Sequence, residues 1–158
     1  MPVNTLSRSL SFHKGYASLR YTTARLRGLF TALDSDSDFA IPQGELSVAF
    51  LDDAALAHIH HRFLNDPSAT DVITFPGDPC MGFAGEICVS VERARRVRLR
   101  WGNPFSRELT LYLVHGWLHL AGCKDHTLAE RRRMRAAETL VLSRLEAAKA
   151  LPDFTIVV

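Results

Sequence analysis

The stretch GELSVAFLDDAALAHIHHRFL, residues 44–64, changes its period partway along. Its first half alternates polar with apolar residues and is rich in β-favouring side chains, the pattern of a half-buried strand. From Ala54 onward the apolar positions recur at helical spacing, and Asp52 or Asp53 is placed to cap the first turn. A strand running into a helix is the first unit of the fold. Upstream, a short polar and apolar alternation leads into a helix over YTTARLRGLFTAL (21–33).

Downstream, TDVITF (70–75) and GEICVSV (85–91) are two further β-rich runs, separated by the Pro- and Gly-containing loop PGDPCMGFA (76–84). The arginine-rich segment VERARRVRLRW (91–101) follows as a helix. Asn103 as N-cap and Pro104 as first helical residue open a longer helix, whose face carries Leu109, Tyr112, Leu113, Gly116, Trp117 and Leu120 and which Gly122 stops. Thr127 and Glu130 form a capping box for a final amphipathic helix that runs to about Ala150, before PDFTIVV. Interleaved strands and helices define an α+β or α/β class.

The segment VHGWLHLAGCKDH (114–126) concentrates potential metal ligands. His115 and His119 are four apart, so both imidazoles project from one helix face, in the last two turns of the long helix. A catalytic zinc site takes three protein ligands and leaves one position for water. The third ligand comes after Gly122, where a left-handed glycine turns the chain back and Cys123, Asp125 and His126 all come within reach. A closed structural zinc site would call for four ligands, often thiolates, which this chain does not supply in that pattern. Gly116 stands where an H-E-x-x-H protease places its glutamate, so a zinc-protease mechanism is unsupported.

With 158 residues and 47% hydrophobic composition, the chain suits one domain with a substantial core. No apolar run is long enough to span a bilayer and MPVNTLSRSL has no secretory apolar core, so a cytosolic protein is expected. The cysteines Cys80, Cys88 and Cys123 form no C-x-x-C pair and no disulfide framework, which fits a reducing compartment; Cys123 reads as a small packed residue. A net charge of +2 does not by itself imply nucleic-acid binding. Locally, Arg93, Arg95, Arg96, Arg98 and Arg100 offer phosphate contacts and Trp101 a stacking face, or else a solvated helix side with Trp101 in the core. His58, His60 and His61 read as exposed helix residues. DSDSDFAIPQGE (34–45) spaces its acids like a calcium loop, but Phe39 replaces the required glycine and a strand follows, so it reads as a solvated loop.

HGWLHLAG (115–122) resembles the signature of the YbeY family of bacterial metal-dependent endoribonucleases, His-Gly-x-Leu-His-Leu-x-Gly-Tyr-Asp-His. TDVITFP (70–76) resembles that family's Thr-Asp-Val-Leu-Ser-Phe-Pro, GEICVS (85–90) its Gly-Asp-Ile-x-Ile-Ser, and ELTLYLVHG (108–116) its approach to the first histidine. The resemblance implies an α+β fold in a single domain over 1–158, with a small mixed sheet packed with helices and a metal site at the C-terminal end of a central helix. It further implies one zinc ion per chain and a single-strand-preferring endoribonuclease acting in 3′-end maturation of small-subunit (16S) ribosomal RNA and in ribosome quality control. Single-stranded ribosomal RNA and the small ribosomal subunit are the implied partners, with neither membrane nor DNA.

In that family the third histidine lies ten residues after the first, a register that here falls on Asp125, with His126 next in line. Register favours Asp125 as third ligand and chemistry allows His126, which otherwise suits a proton donor to the leaving oxygen. Glu86 replaces the family's aspartate, and Leu64 stands where a basic residue is expected, with Arg62 close by. Asp71 and Glu86 are the carboxylates, and Arg62 the cation, that the resemblance places near the metal. The competing readings are another metal-dependent hydrolase and a non-catalytic ribosome-assembly factor whose metal only stabilises the fold.

Overall fold

In the computed structural model, residues 8–64, 70–101 and 104–157 are described, with the side chains of residues 64 and 98–101 excepted. The chain runs through β1 (Leu10–Lys14), β2 (Leu19–Arg20), α1 (Thr23–Asp34), β3 (Glu45–Leu51), α2 (Asp53–Leu64) and β4 (Val72–Pro76). A short 3₁₀ turn at Pro79–Met81 leads into β5 (Phe83–Ser90), α3 (Val91–Trp101), α4 (Phe105–Leu120), α5 (Leu128–Ala147) and β6 (Thr155–Ile156). The class is α+β. The main sheet has the order β1-β3-β5-β4, and β2 pairs with β6 in a separate ribbon. β3 pairs in parallel with both β1 and β5, whereas β4 lies antiparallel to β5, which makes the sheet mixed.

The predicted elements appear with small shifts at their ends. Asp52 caps α2 through Oδ1, which accepts from the Ala55 amide at 2.7 Å. Asp53 instead begins the helix and accepts from the Ser90 hydroxyl and the Arg96 guanidinium, tying α2 to the β5–α3 junction. Pro104 precedes the first turn of α4 rather than forming it, and the predicted cap Asn103 lies outside the described residues. Thr127 Oγ1 accepts from the Glu130 amide at 3.1 Å, as a capping box requires, while the Glu130 carboxylate takes the His126 amide at 3.0 Å. Among the described residues no helix is long and apolar enough to cross a membrane.

The acidic loop after α1 is more than a solvated segment. Asp36 Oδ2 accepts from the amides of Asp38 and Phe39, and Arg144 of α5 donates to Asp36 and Asp38. Burial alone would raise the Asp36 pKa, but these hydrogen bonds outweigh it and hold the carboxyl below its ordinary range.

Strand alternation gives the sheet two apolar faces. Ile87 and Val89 join the main core with α1, α4 and α5, whereas Cys88, Ile73 and Ala49 face α2 and pack with Leu56. α4 is the helix at the centre of the main core, with Leu109, Leu113, Val114, Trp117 and Leu118 fully buried. Gly116 allows it to lie close on the sheet. A Cβ at that position would come within 2.6 Å of Ile87 Cγ2 and 3.2 Å of Thr74 Cγ2 and Val72 Cγ1. The glycine that stands where a protease would carry its glutamate is therefore a contact between helix and sheet.

Gly116→Ala should accordingly destabilise the protein by about 1–3 kcal/mol, the range for overpacking a well-filled core. Equilibrium denaturant unfolding checks this, and an unchanged midpoint would show that the sheet yields to the added methyl.

Candidate metal centre

The geometry begins at the end of α4. The Gly122 amide donates to the His119 carbonyl at 3.0 Å and the Cys123 amide to the Leu118 carbonyl at 3.0 Å, with Gly122 at φ +99°. These two bonds and the left-handed glycine constitute a Schellman turn, which reverses the chain directly below the two histidines. The turn brings Asp125 back over the helix face that carries them. His115 Nε2 and His119 Nε2 lie 3.0 Å apart, and Asp125 Oδ2 lies 3.2 Å from the second and 3.5 Å from the first.

The other ring nitrogens are anchored. His115 Nδ1 donates to Glu138 Oε1 at 2.6 Å and His119 Nδ1 to the Cys123 carbonyl at 3.0 Å. Because both partners can only accept, each Nδ1 carries the proton and each Nε2 of a neutral ring presents a lone pair. Two imidazole lone pairs and a carboxylate oxygen so close together repel unless a proton or a metal cation lies among them. Zinc bonds of 2.0–2.1 Å in a tetrahedron set neighbouring ligand atoms about 3.3 Å apart, and the observed separations of 3.0, 3.2 and 3.5 Å bracket that spacing. Among the described residues, His115, His119 and Asp125 form the group of side chains able to hold a metal ion.

A cleft of about 400 Å³ opens beside the group, with Asp71, Tyr112, His115, Asp125, Arg131 and Glu138 in its wall. Burial acts to lower the His115 pKa, but the hydrogen bond and charge of Glu138, with Asp71 and Asp125 behind it, outweigh burial and raise the value above that of free imidazole. Burial and then the Glu108 and Asp71 carboxylates push the Tyr112 hydroxyl above the usual phenol range.

The residues expected here divide into two sets. His115, His119, Asp125 and Asp71 come together at the cleft. His126, next to Asp125, is exposed, and its backbone is held by Glu130 and by Arg131, which donates to its carbonyl at 2.8 Å. Glu86 lies on the sheet face opposite α4, since Ile87 is the residue that meets Gly116. It faces the α2 side with Cys88, where burial and then Glu86 itself push the thiol up to about 12. Arg62 is exposed on α2 with its guanidinium 5.5 Å from the Phe63 ring centre and does not line the cleft. On α3, Arg96 is engaged by Asp53, and Arg95 donates to the Tyr16 hydroxyl at 3.0 Å. The side chains of Leu64, Arg98, Arg100 and Trp101 lie outside the described residues. His58 and His61 are exposed and His60 half-buried on α2.

Glu138 is the site residue that the sequence reading missed. A signal existed: Glu138 falls four after Met134 and three before Val141, inside the stripe that α5 buries with Ala137 and Leu145. A carboxylate in a core-facing stripe calls for a partner.

Comparison with known proteins agrees over most of the chain. The family model described as "Endoribonuclease YbeY" matches residues 17–146. The chain is 37% identical over 120 residues to "Endoribonuclease YbeY" of Chlamydia pneumoniae, an alignment that covers 70% of this chain and 75% of that one. It is 34% identical over 122 residues to the protein of the same description from Rhizobium meliloti, covering 73% of each. The solution structure of TM1509 from Thermotoga maritima superposes with a TM-score of 0.52 at 20% identity, covering 89% of this chain and 94% of that one, and bears on the fold alone.

Glu138→Gln should weaken zinc binding about 10–100-fold, the range for loss of a partner that orients a metal-ligating histidine. In the metal-free variant the His115 pKa should fall, because the carboxylate that raises it has gone; protons then compete with metal only at lower pH than in the parent. Zinc titration and NMR titration of the His115 ring check both parts, and an unmoved His115 pKa would sever the link to Glu138.

Proposed function

The chain belongs to the YbeY endoribonuclease family, and on that premise we propose that it is a zinc-dependent, single-strand-preferring endoribonuclease. In this reading it acts in the cytoplasm, on the small ribosomal subunit, in 3′-end maturation of 16S ribosomal RNA and in ribosome quality control. The observation that supports it is the convergence of two imidazole lone pairs and one carboxylate oxygen on a single point at the side of an open cleft. Three ligands of this kind suit zinc and leave a coordination position for water or substrate, as a catalytic rather than a closed structural site does.

His115, His119 and Asp125 would hold the ion. When bound, zinc supplies a Lewis acid for a phosphate oxygen and lowers the pKa of a water molecule. The chain's own residues do the rest. Glu138 and the Cys123 carbonyl fix the tautomers, so that both Nε2 atoms are ligands rather than donors. Asp71, at the cleft wall beside His115, is placed to orient a hydroxyl or water that enters there. Cleavage forms a P–O bond to that hydroxyl or water and breaks another, and the oxygen that leaves takes up a proton; His126, exposed beside Asp125, is the group proposed to deliver it. Arg62 and Glu86, which line other surfaces, receive no contact with the reacting phosphate in this proposal.

The test pairs activity with metal content. Purified protein should cleave an unstructured RNA oligonucleotide, stop on chelation and recover with zinc; loss of folding on chelation, with no cleavage in the loaded protein, would favour the assembly-factor reading. Asp125→Asn should lose most of its zinc affinity. His126→Ala should retain zinc and slow turnover by about 10²–10⁴-fold, the usual contribution of a positioned acid. Zinc lost from the His126 variant and kept by the Asp125 variant would reverse the two roles.

A further inference from the structure

The sequence of the arginine-rich α3 suggests phosphate contact, but none of its described arginines, Arg93, Arg95 and Arg96, lines the cleft beside His115 and Asp125, and Arg96 is paired with Asp53. A second arginine run, ERRRMR at 130–135, opens α5. Arg131 and Arg135 are four apart, so they share one helix face, and both line the cleft that holds His115 and Asp125. Both are exposed. Glu138, three residues beyond Arg135, lies on the same wall and grips His115 at 2.6 Å. One face of α5 thus orients a metal ligand and, one and two turns earlier, presents two guanidinium groups.

The balance of charge in the cleft gives this placement its meaning. Asp71, Glu108, Asp125 and Glu138 all line it, a set of carboxylates that repels an incoming polyanion. Arg131 and Arg135 are the guanidinium groups in that lining. Arg131 donates through one nitrogen to the His126 carbonyl at 2.8 Å, which steadies the side chain along the Asp125 loop, and among the described residues its other N–H groups have no acceptor. Among the described residues the Arg135 guanidinium makes no ion pair or hydrogen bond. A guanidinium with unused donors beside a site for a reacting phosphate matches the geometry of a phosphodiester oxygen pair. Arg132 and Arg133, on the same helix, do not line this cleft.

We infer that Arg131 and Arg135 form the phosphate clamp of the site: they hold backbone phosphates of a single-stranded RNA next to the one positioned at His115, His119 and Asp125. This rests on the nuclease reading for the identity of the strand, but not for the presence of the clamp. Arg131 and Arg135 are positioning residues, fixing the register of the strand against the metal centre.

The experiment measures binding apart from cleavage. Fluorescence anisotropy with a labelled, fully 2′-O-methylated single-stranded RNA, shown intact by gel afterwards, is followed from roughly 50 to 200 mM salt on the zinc-loaded full chain. R131A/R135A should weaken binding about tenfold or more and reduce the log–log salt slope by roughly 1.4, which is two phosphate contacts at about 0.7 each for a single strand. Zinc content should stay at the parent value. R132A/R133A removes the same charge from the same helix and should change the slope little, and R131K/R135K, which keeps the charge but not the fork, should keep the parent slope while recovering only part of the affinity. Arg135→Ala alone, which leaves the bond to the His126 carbonyl in place, should show about half of the slope change. Unchanged affinity and slope in R131A/R135A, or an equal loss in R132A/R133A, would overturn the clamp. If the parent fails to cleave unmodified RNA while the slope still depends on Arg131 and Arg135, the nuclease reading falls and the clamp stands.

Discussion

The close seating of α4 on the β4–β5 edge of the sheet is the constraint on which the rest depends. The helix buries a wide face, including Trp117 and Leu113, and Gly116 removes the one Cβ that would hold it away from Ile87, Thr74 and Val72. Seating it this closely fixes which of its faces stays open, and His115 and His119 fall on that open face, half-buried against α5. At roughly 25 cal/mol per Å² of apolar surface, a helix buried along one whole side is held by far more than the repulsion among a few polar atoms at its edge can oppose. The core can therefore hold two imidazoles and a carboxylate in an arrangement they would not adopt by themselves.

Much of this was legible in the sequence because its signals are local. The i, i+4 spacing of His115 and His119 needs only a helix, and a glycine after Leu120 needs only a helix end, so the pair and the turn beneath it could both be read from thirteen residues. The interleaving of β-rich and helical runs gave a class of α+β or α/β, and the register of the family motif pointed to Asp125, which the structure brings to 3.2 Å from His119. What could not be read was which distant element each side chain meets. Glu138 reaches His115 across twenty-three residues, and Arg144 reaches Asp36 across more than a hundred. Glu86 shows the same limit from the other side: alternation within β5 was visible, but which of its faces receives α4 depends on packing between elements distant in sequence, where Ile87 rather than Glu86 meets Gly116.

Charge was the feature most easily misread. The run at 91–101 is the longer one and holds five arginines against four at 130–135, yet Arg96 joins α3 to α2 through Asp53 and Arg95 reaches the Tyr16 hydroxyl. A linear sequence counts charges without showing which are already spent on partners, and an arginine paired with a carboxylate has little left to offer a ligand. The shorter run on α5 is the one that borders the cleft. Helix packing explains the difference, because α5 must turn Met134, Ala137 and Val141 inward against α4, and that rotation carries Arg131 and Arg135 to the cleft rim.

Asp125 in place of a third imidazole would have a further electrostatic consequence. A divalent ion held by His115, His119 and Asp125 would carry one unit less positive charge than an ion held by three neutral rings, which would make a bound water less acidic and the attraction for a phosphate weaker. The neighbouring carboxylates Asp71 and Glu138 act in the same direction. A site so rich in negative charge needs positive charge outside the ligand set if a polyanion is to approach it. In the cleft lining that charge sits on Arg131 and Arg135, on the same α5 that anchors His115 through Glu138, so one helix carries both the group that orients the histidine and the groups that face the strand. A change that rotated α5 would disturb the His115 anchor and the strand position at once, whereas a change in Arg135 alone leaves His115 on Glu138, the Asp125 loop on Arg131 and Glu130, and the Gly122 turn in place.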